Sequence, residues 1–344
     1  MFDIAVVILN WNGLSFLQQF LPGVVAHSGA DAKVCVIDNA STDQSVTWIQ
    51  HHFPNVLIVK NALNYGFAKG YNEGLKHIHA NYYVLLNSDV EVTENWIPPV
   101  IEYMKRDGIA AAQPKILDFN RKSFFEHAGA TGGFIDKDGF VFCAGRIFDS
   151  FEEDQGQYNS NKEVFWASGA ALFIDSAAYH NAGGLDEDFY AHMEEIDLCW
   201  RLKNMGLKIG ACGQSTVYHV GGGTLSKINP FKTFLNFRNN LFILVKNYHD
   251  SNLTLRLIRR MLLDGVAAFR FLSEGKSSYF IAVFKAHMSF YFYFGKMAKK
   301  RRNLKAAISQ PNKTGWYRKS ILVEYYLRKK KKFSELDANS FLQR

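Results

Sequence analysis

Four short runs of uninterrupted apolar sequence, rich in β-branched residues, constrain this chain most strongly: Ile4 to Leu9, Val34 to Ile37, Val56 to Val59 and Tyr82 to Leu86. A strand with one wet face alternates polar and apolar residues, so a run without alternation must be covered on both faces. Because each run is followed by a segment of helical character, the pattern predicts an α/β fold with a mostly parallel central sheet. The intervening segments have helix signals of their own. Ser41-Thr-Asp-Gln44 has capping-box spacing ahead of Val46, Trp48 and Ile49, and Gly66 to Gly74 opens a helix reaching about Ile78. In such sheets ligands gather beyond the carboxyl ends of the strands, which singles out Asn10 and Asn12, Asp38 and Asn39, then Asn87, Ser88 and Asp89.

From about 112 to 165 the pattern loosens. Gly129-Ala-Thr-Gly-Gly133 and Gly139-Phe-Val-Phe-Cys143 predict hairpins and a mobile loop suited to a substrate lid. Order returns at Trp166 to Ile174, a small-residue turn entering a buried strand, with helices over 176–182 and 194–205 and strands over 208–211 and 216–218. The cysteines Cys35, Cys143, Cys199 and Cys212 form no CxxC pair, which indicates neither a zinc site nor a disulfide framework and fits a reducing cytoplasm. Residues 1–10 carry Asp3 and no basic leader, so they read as a first strand rather than a signal peptide.

The net charge of +8 conceals two unlike parts. Residues 221–344 hold 25 Lys and Arg against 6 Asp and Glu, whereas residues 1–220 hold 15 against 26. A basic tail on an acidic body points to an anionic partner, either lipid headgroups or nucleic acid. The tail has no nucleic-acid-reading motif and the acidic body would repel a phosphate backbone, so the expectation is no nucleic acid. Leu255, Ile258, Met261, Leu262, Val266 and Phe269 share one helical stripe, and Phe280, Val283, Phe284, Met288, Tyr291 and Phe292 repeat it ahead of Lys299-Lys-Arg-Arg302 and Arg328-Lys-Lys-Lys-Lys332. Two readings stand side by side: interfacial helices with an electrostatic anchor, and a hairpin packed on the core with a solvated basic end. No apolar stretch is long enough to span a bilayer, because Lys285 and His287 interrupt 279–294, so membrane contact would be peripheral, at the cytoplasmic face. The expected division is a catalytic unit over 1–245 and a basic amphipathic helical region over 246–344.

Seven segments in order resemble family 2 of the glycosyltransferases, inverting enzymes of the GT-A fold, and within it the rhamnosyltransferase-like bacterial branch. They are Val7-Ile-Leu-Asn-Trp-Asn-Gly13, Val36-Ile-Asp-Asn-Ala-Ser-Thr-Asp43, Asn64-Tyr-Gly-Phe-Ala-Lys-Gly-Tyr-Asn72, Leu85-Leu-Asn-Ser-Asp-Val-Glu91, Trp166-Ala-Ser-Gly-Ala-Ala171, Glu194-Glu-Ile-Asp-Leu-Cys-Trp-Arg201 and Tyr218-His-Val-Gly-Gly-Gly-Thr224. The resemblance spans about Phe2 to Lys246. It implies sugar transfer from a UDP- or dTDP-sugar to a glycan or lipid-linked acceptor, with a divalent cation, Mn2+ or Mg2+, neutralising the leaving diphosphate.

Asn87-Ser-Asp89 stands where the family has its DxD motif, making Asp89 the carboxylate ligand, with Asn87 replacing an acid and binding ribose or metal weakly. Ser88 as a turn cap partnered by Glu91 is the plainer alternative. His219, before three glycines, is the second metal ligand by the same resemblance. Glu195, the second acid of the Glu194-Glu195 pair, matches the family's base, and Glu194 orients it or touches the acceptor. Asp197 joins this acidic cluster as a candidate, although an ion pair with Arg201 four residues on is the simpler reading. For the nucleotide, Asp38 corresponds to the residue that accepts from the pyrimidine ring; Asn10 and Asn12 line the same pocket, Lys69 and Asn72 approach ribose or phosphate, and Arg238 meets the diphosphate or a lipid-linked acceptor. Asp43 reads as a helix-start residue. A dinucleotide-dependent oxidoreductase is excluded because no strand leads into GxGxxG. A nucleotide-sugar-binding protein without catalysis is the remaining alternative.

Overall fold

The computed structural model describes residues 2–126, 130–221, 229–306, 308 and 310–343. The first half alternates as expected: β1 (Phe2–Asn10), α1 (Leu14–His27), β2 (Ala32–Asp38), α2 (Ser45–His52), β3 (Leu57–Lys60), α3 (Gly66–Leu75) and β4 (Ala80–Leu86). β4 leads into β5 (Val90–Val92), α4 (Pro98–Asp107), β6 (Ile109–Asp118) and β7 (Arg121–Phe125). A cluster of short strands follows: β8 (Gly133–Asp136), β9 (Val141–Cys143), β10 (Arg146–Ile147), β11 (Ser150–Phe151) and β12 (Lys162–Val164). β13 (Ala171–Asp175), α5 (Ser176–Asn181), α6 (Glu194–Asn204) and β14 (Lys208–His219) complete the main sheet. The C-terminal part holds α7 (Pro230–Asn247), α8 (Leu253–Ser273), α9 (Ser277–Lys305) and β15 (Trp316–Tyr317).

The main sheet runs β12-β14-β6-β13-β4-β1-β2-β3, with β5 and β7 as side branches. β4, β1, β2 and β3 are parallel, β6 and β14 are parallel, and β13 lies antiparallel between β4 and β6. Residues 4–8 of β1 are buried on both faces, as their lack of alternation requires. α1 turns Leu17, Phe20, Leu21 and Val24 onto one side of the sheet, and α3 lies on the other so closely that a Cβ at Gly74 would stand 2.3 Å from the Ile37 side chain. Gly74 therefore sets how near α3 comes to β2.

Three expectations need correction. The α2 start is held not by a Ser41–Gln44 capping box but by Asp43, which accepts from Ser45 N at 3.0 Å and from Leu14 N at 3.1 Å, while the Ser41 hydroxyl is drawn to Asn10 and Asn12. The expected lid is instead a second, five-stranded sheet, β11-β10-β9-β8-β15, whose Phe134, Ile135, Phe142, Cys143 and Ile147 belong to the core; Gly129 lies outside the described residues. Its fifth strand comes from the C-terminal tail, so the chain after about 310 returns to the catalytic body instead of extending as helix.

Candidate active site

The carboxyl end of β4 delivers Asp89, and β5 carries it beside the end of β14, where Val90 pairs with His219. Val220 N donates to Asp89 O at 3.1 Å, locking the two segments together. His219 Nε2 lies 3.2 Å from Asp89 Oδ1, and its Nδ1 lies 3.2 Å from Glu126 Oε2. All three side chains are buried. Burial opposes a charge on the imidazole, but the Asp89 and Glu126 carboxylates outweigh it and hold the His219 pKa up at about 10. The arrangement is a carboxylate, an imidazole and an outer carboxylate in line. Without a cation the two carboxylates keep both ring nitrogens protonated; a cation taking Nε2 would displace the proton there, with Glu126 as the outer partner at Nδ1. Among the described residues no group of three or more His, Cys, Asp or Glu side chains could hold a metal ion by itself. Asp89 and His219 fit a hard divalent cation that draws its remaining ligands from phosphate oxygens. Gly222, Gly223 and Thr224, which end the last of the seven segments, lie outside the described residues.

The acidic pair enters the same end of the sheet through the 166–171 turn. Asn87 N donates to Ala170 O at 3.0 Å, Ser168 N to Gln113 Oε1 at 2.8 Å, and a Cβ on Gly169 would stand 3.5 Å from Glu195 Cβ. That spacing is ordinary van der Waals contact, so the turn packs directly against the stem of the glutamate. The Cys143 thiol, pushed up to about 12 chiefly by burial, is acted on by both Glu126 and Glu195, which places these carboxylates in one neighbourhood. Glu194 and Glu195 each have a buried Oε2 without a hydrogen-bond partner among the described residues. Burial pushes the Glu195 pKa up to about 7; Glu194 is raised well above the carboxylate range by burial and by its neighbour's charge. A carboxylate poised near neutrality with an unoccupied lone pair can accept a proton.

The backbone ahead of the pair is unusual. Tyr190, His192 and Met193 all have positive φ, at 65°, 67° and 74°, a conformation costly for residues with side chains. Asn239 of α7 holds it: its Nδ2 lies within hydrogen-bond distance of the carbonyls of Phe189, Ala191 and His192, at 3.0, 3.0 and 2.7 Å. Arg238 adds a bond to Phe189 O at 3.1 Å while resting on the rings of Phe234 and Phe242.

At the neighbouring strand ends, Asn10 Nδ2 bonds Ser41 Oγ at 3.1 Å and Asp38 Oδ1 at 3.4 Å, and Ser41 N donates to Asp38 Oδ2 at 3.1 Å. The buried Asn10 Oδ1 has no partner among the described residues, and the Asp38 carboxylate retains lone pairs beyond these two bonds. Asn12 Oδ1 accepts from Thr42 N and Asp43 N at 2.7 and 3.2 Å, so it joins the two loops, with the half-exposed Trp11 beside it. Lys69 stands on α3 with its Nζ 4.9 Å from the Tyr65 ring centre.

Three candidates are committed elsewhere. Asn72 spends its amide on Leu185 O, Leu185 N and the Tyr179 hydroxyl, so it ties α3 to the segment after α5 rather than reaching ribose. Asp197 is fully buried between Arg201 at 2.8 Å, Lys246 at 2.7 Å and Asn247 at 2.7 Å, so it is an architectural ion pair and not a catalytic acid. The Arg238 guanidinium serves carbonyl oxygens and rings instead of the expected diphosphate or acceptor. Sequence reasoning missed Glu126, which stands in no recognisable motif and meets its partner 93 positions away, and Asn239, the neighbour of Arg238.

A mixed sheet with its parallel half reading β3-β2-β1-β4 and charged groups gathered at the strand ends defines a glycosyltransferase of the GT-A fold. The chain belongs to glycosyl transferase family 2, whose family model matches residues 5–178. It is 22% identical over 242 residues to the low-salt glycan biosynthesis hexosyltransferase Agl10 of Haloferax volcanii, covering 69% of this chain and 74% of the relative. It is 23% identical over 246 residues to the N-acetylglucosaminyl-diphospho-decaprenol L-rhamnosyltransferase of Mycobacterium tuberculosis, covering 62% and 72%. Among solved structures it is similar in fold to mannosyltransferase PcManGT from Pyrobaculum calidifontis in complex with GDP-Man and Mn2+, with a TM-score of 0.53, 12% identity and 89% and 85% of the two chains covered.

Proposed function

We propose that this glycosyltransferase is metal-dependent and inverting, moving a sugar from a UDP- or dTDP-sugar to an acceptor hydroxyl in glycan assembly at the cytoplasmic side of a membrane. The observation that carries the reading is the half-buried Glu195, whose Oε2 is buried and without a partner among the described residues and whose carboxyl is poised near neutrality, at the same end of the sheet as the Asp89–His219 pair.

Asp89 and His219 would hold the divalent cation, Mn2+ or Mg2+, with the His219 Nε2 proton released to solvent as the cation binds and Glu126 setting the imidazole tautomer. The cation supplies positive charge for the departing diphosphate. Glu195 takes the acceptor hydroxyl's proton as that oxygen attacks the anomeric carbon from the side opposite the diphosphate, which inverts the configuration. Glu194, uncharged beside it, limits repulsion and leaves a single negative charge to act as base. Asp38 and Asn10 receive the pyrimidine ring, since Asp38 has acceptor capacity to spare and Asn10 has an unpaired buried oxygen. Asn87 and Lys69 face ribose and phosphate. The mannosyltransferase of similar fold holds a guanine nucleotide, so the base preference is a property to measure on this chain.

The test is turnover across a panel of nucleotide sugars, with Glu195→Gln in parallel. The proposal expects release of UDP or dTDP by the native chain and its loss in the variant, with donor binding kept. Full activity in Glu195→Gln would remove it as base, and no transfer from any donor would favour a nucleotide-sugar binder without catalysis.

A further inference from the structure

A helix on a protein surface ordinarily turns its apolar stripe inward and its charges toward water. α8 does the opposite. Its inward residues include Arg260 and Asp264, both buried, and Arg260 Nε bonds Asp264 Oδ1 at 2.9 Å while its NH1 bonds Gly139 O at 3.1 Å. The guanidinium also lies 3.8 Å from the Phe140 ring centre, and His287 of α9 stands 3.4 Å from Asp264 Oδ2. Arg260, Asp264 and His287 thus answer one another on the inner side. On the outer side Leu255, Ile258, Leu262, Val266 and Phe269, spaced by three and four residues, are each more than half exposed.

α9 continues the surface with Ile281, Phe284, Met288 and Tyr291, all exposed, and Phe292 at 81%. The two stripes are joined, since the Phe269 ring packs on Phe280 at 5.7 Å and the Tyr291 hydroxyl reaches Met261 Sδ at 3.7 Å. This makes one broad apolar face on a hairpin whose buried Arg260 and Asp264 are turned to the protein. Exposed apolar surface on this scale marks an interface.

Charge decides between occupants. Residues 253–305 contain 12 Lys and Arg but only two acids, Asp264, which is buried, and Glu274, which is held by Arg270 and Lys276. A second copy in a two-fold arrangement would set this positive surface against itself. An anionic bilayer accepts the apolar side chains and answers the surrounding charge, through Lys285 within α9 and Lys299 and Arg302 at its end. No helix among the described residues is long and apolar enough to cross a membrane, in keeping with a hairpin lying in the interface. A row of rings also links the face to the acidic pair: Tyr190 touches Phe231 at 6.2 Å, Arg238 bridges Phe234 and Phe242, and Phe242 meets Tyr293 at 6.2 Å.

We propose that the outer face of the α8–α9 hairpin docks on an anionic phospholipid bilayer, placing the Glu194–Glu195 end of the cleft within reach of an acceptor carried by that membrane. Docking itself does not depend on the sugar-transfer reading; the acceptor clause does. The experiment is flotation of the full chain with phosphatidylcholine vesicles and with vesicles containing phosphatidylglycerol, at low and high salt. The expected result is binding to the anionic vesicles that weakens with salt. Leu262→Asp combined with Phe284→Asp should weaken it on the order of tenfold or more, with the melting temperature unchanged because both side chains are already exposed. Lys285→Glu with Lys299→Glu, which leaves the apolar face intact, should also weaken it by about tenfold. Three outcomes would overturn the docking proposal: no binding by the native chain, binding indifferent to both double variants, or a dimer in light scattering that Leu262→Asp with Phe284→Asp turns into a monomer. Vesicle binding without any sugar transfer would sink the function reading while leaving docking in place.

Discussion

The strand-end cleft and the α8–α9 hairpin both bury charge, and they do so in opposite ways. In the hairpin the buried Arg260 and Asp264 and the half-buried His287 answer one another, as Asp197, Arg201 and Lys246 do under α6. In the cleft Glu194, Glu195 and Asn10 each keep an oxygen without a partner among the described residues, and Asp89, His219 and Glu126 stand in line beside them. An unsatisfied buried polar group costs about 1–3 kcal/mol, so its persistence points to a use, whereas a closed network points to architecture. The contrast separates the acids of α6. Asp197 belongs with the hairpin's closed networks and Glu195 with the open cleft, although they stand two residues apart.

The sharpest way to break this comparison is to neutralise one acid of each kind. Glu195→Gln should lower kcat by about 10²–10⁴-fold with KM for the donor little changed, read in steady-state assays. Asp197→Asn should instead act through stability, leaving Lys246 and Arg201 buried without their full charge partner and lowering the melting temperature, at a cost of about 3–5 kcal/mol. If Asp197→Asn kept its stability and lost turnover, the distinction would fail.

The pH profile sharpens the same point. Turnover should rise with pH as Glu195 ionises, with a midpoint near about 7, and this limb should vanish in Glu195→Gln. The folded-state pKa of about 7 stands above the ordinary 4.5, so between those values the folded protein keeps a proton that the unfolded chain has released. The stability this group confers is full below about 4.5 and is lost as pH rises through about 7, so Glu195→Gln should be more stable than the native chain at pH 8 by about 1–3 kcal/mol, measured by denaturant unfolding.

Two smaller effects concern residues that act at one remove. Glu126→Gln should weaken metal affinity by about 10–100-fold, measured by titration of Mn2+, without moving the acid limb of the profile. Asn239→Ala frees the carbonyls of Phe189, Ala191 and His192 and should lower kcat by about tenfold more than it raises KM, with a melting temperature lowered in proportion to about 1–3 kcal/mol.

Much of this was legible in the residues. Unbroken apolar runs specify a sheet covered on both sides, and Asp89, His219, Glu194 and Glu195 follow from strand ends and a helix start that motifs can mark. What was not legible depends on partners distant in sequence. Glu126 faces His219 only because β6 and β14 lie side by side, Asn72 is claimed by a segment more than a hundred residues later, and Trp316 and Tyr317 return as a strand beside β8. The stripe of α8 was readable, but not its direction. A helical wheel groups Leu255 with Leu262 without saying that Arg260, stacked on Phe140, takes the inner side.

The central claim is that Asp89 and His219 grip a divalent cation against a nucleotide diphosphate, and thermal unfolding with UDP or dTDP tests it most directly. With Mn2+ present the nucleotide should raise the melting temperature of the native chain and do little for Asp89→Ala, and with chelator present it should do little for either. Equal stabilisation of the native chain with and without metal would contradict the account.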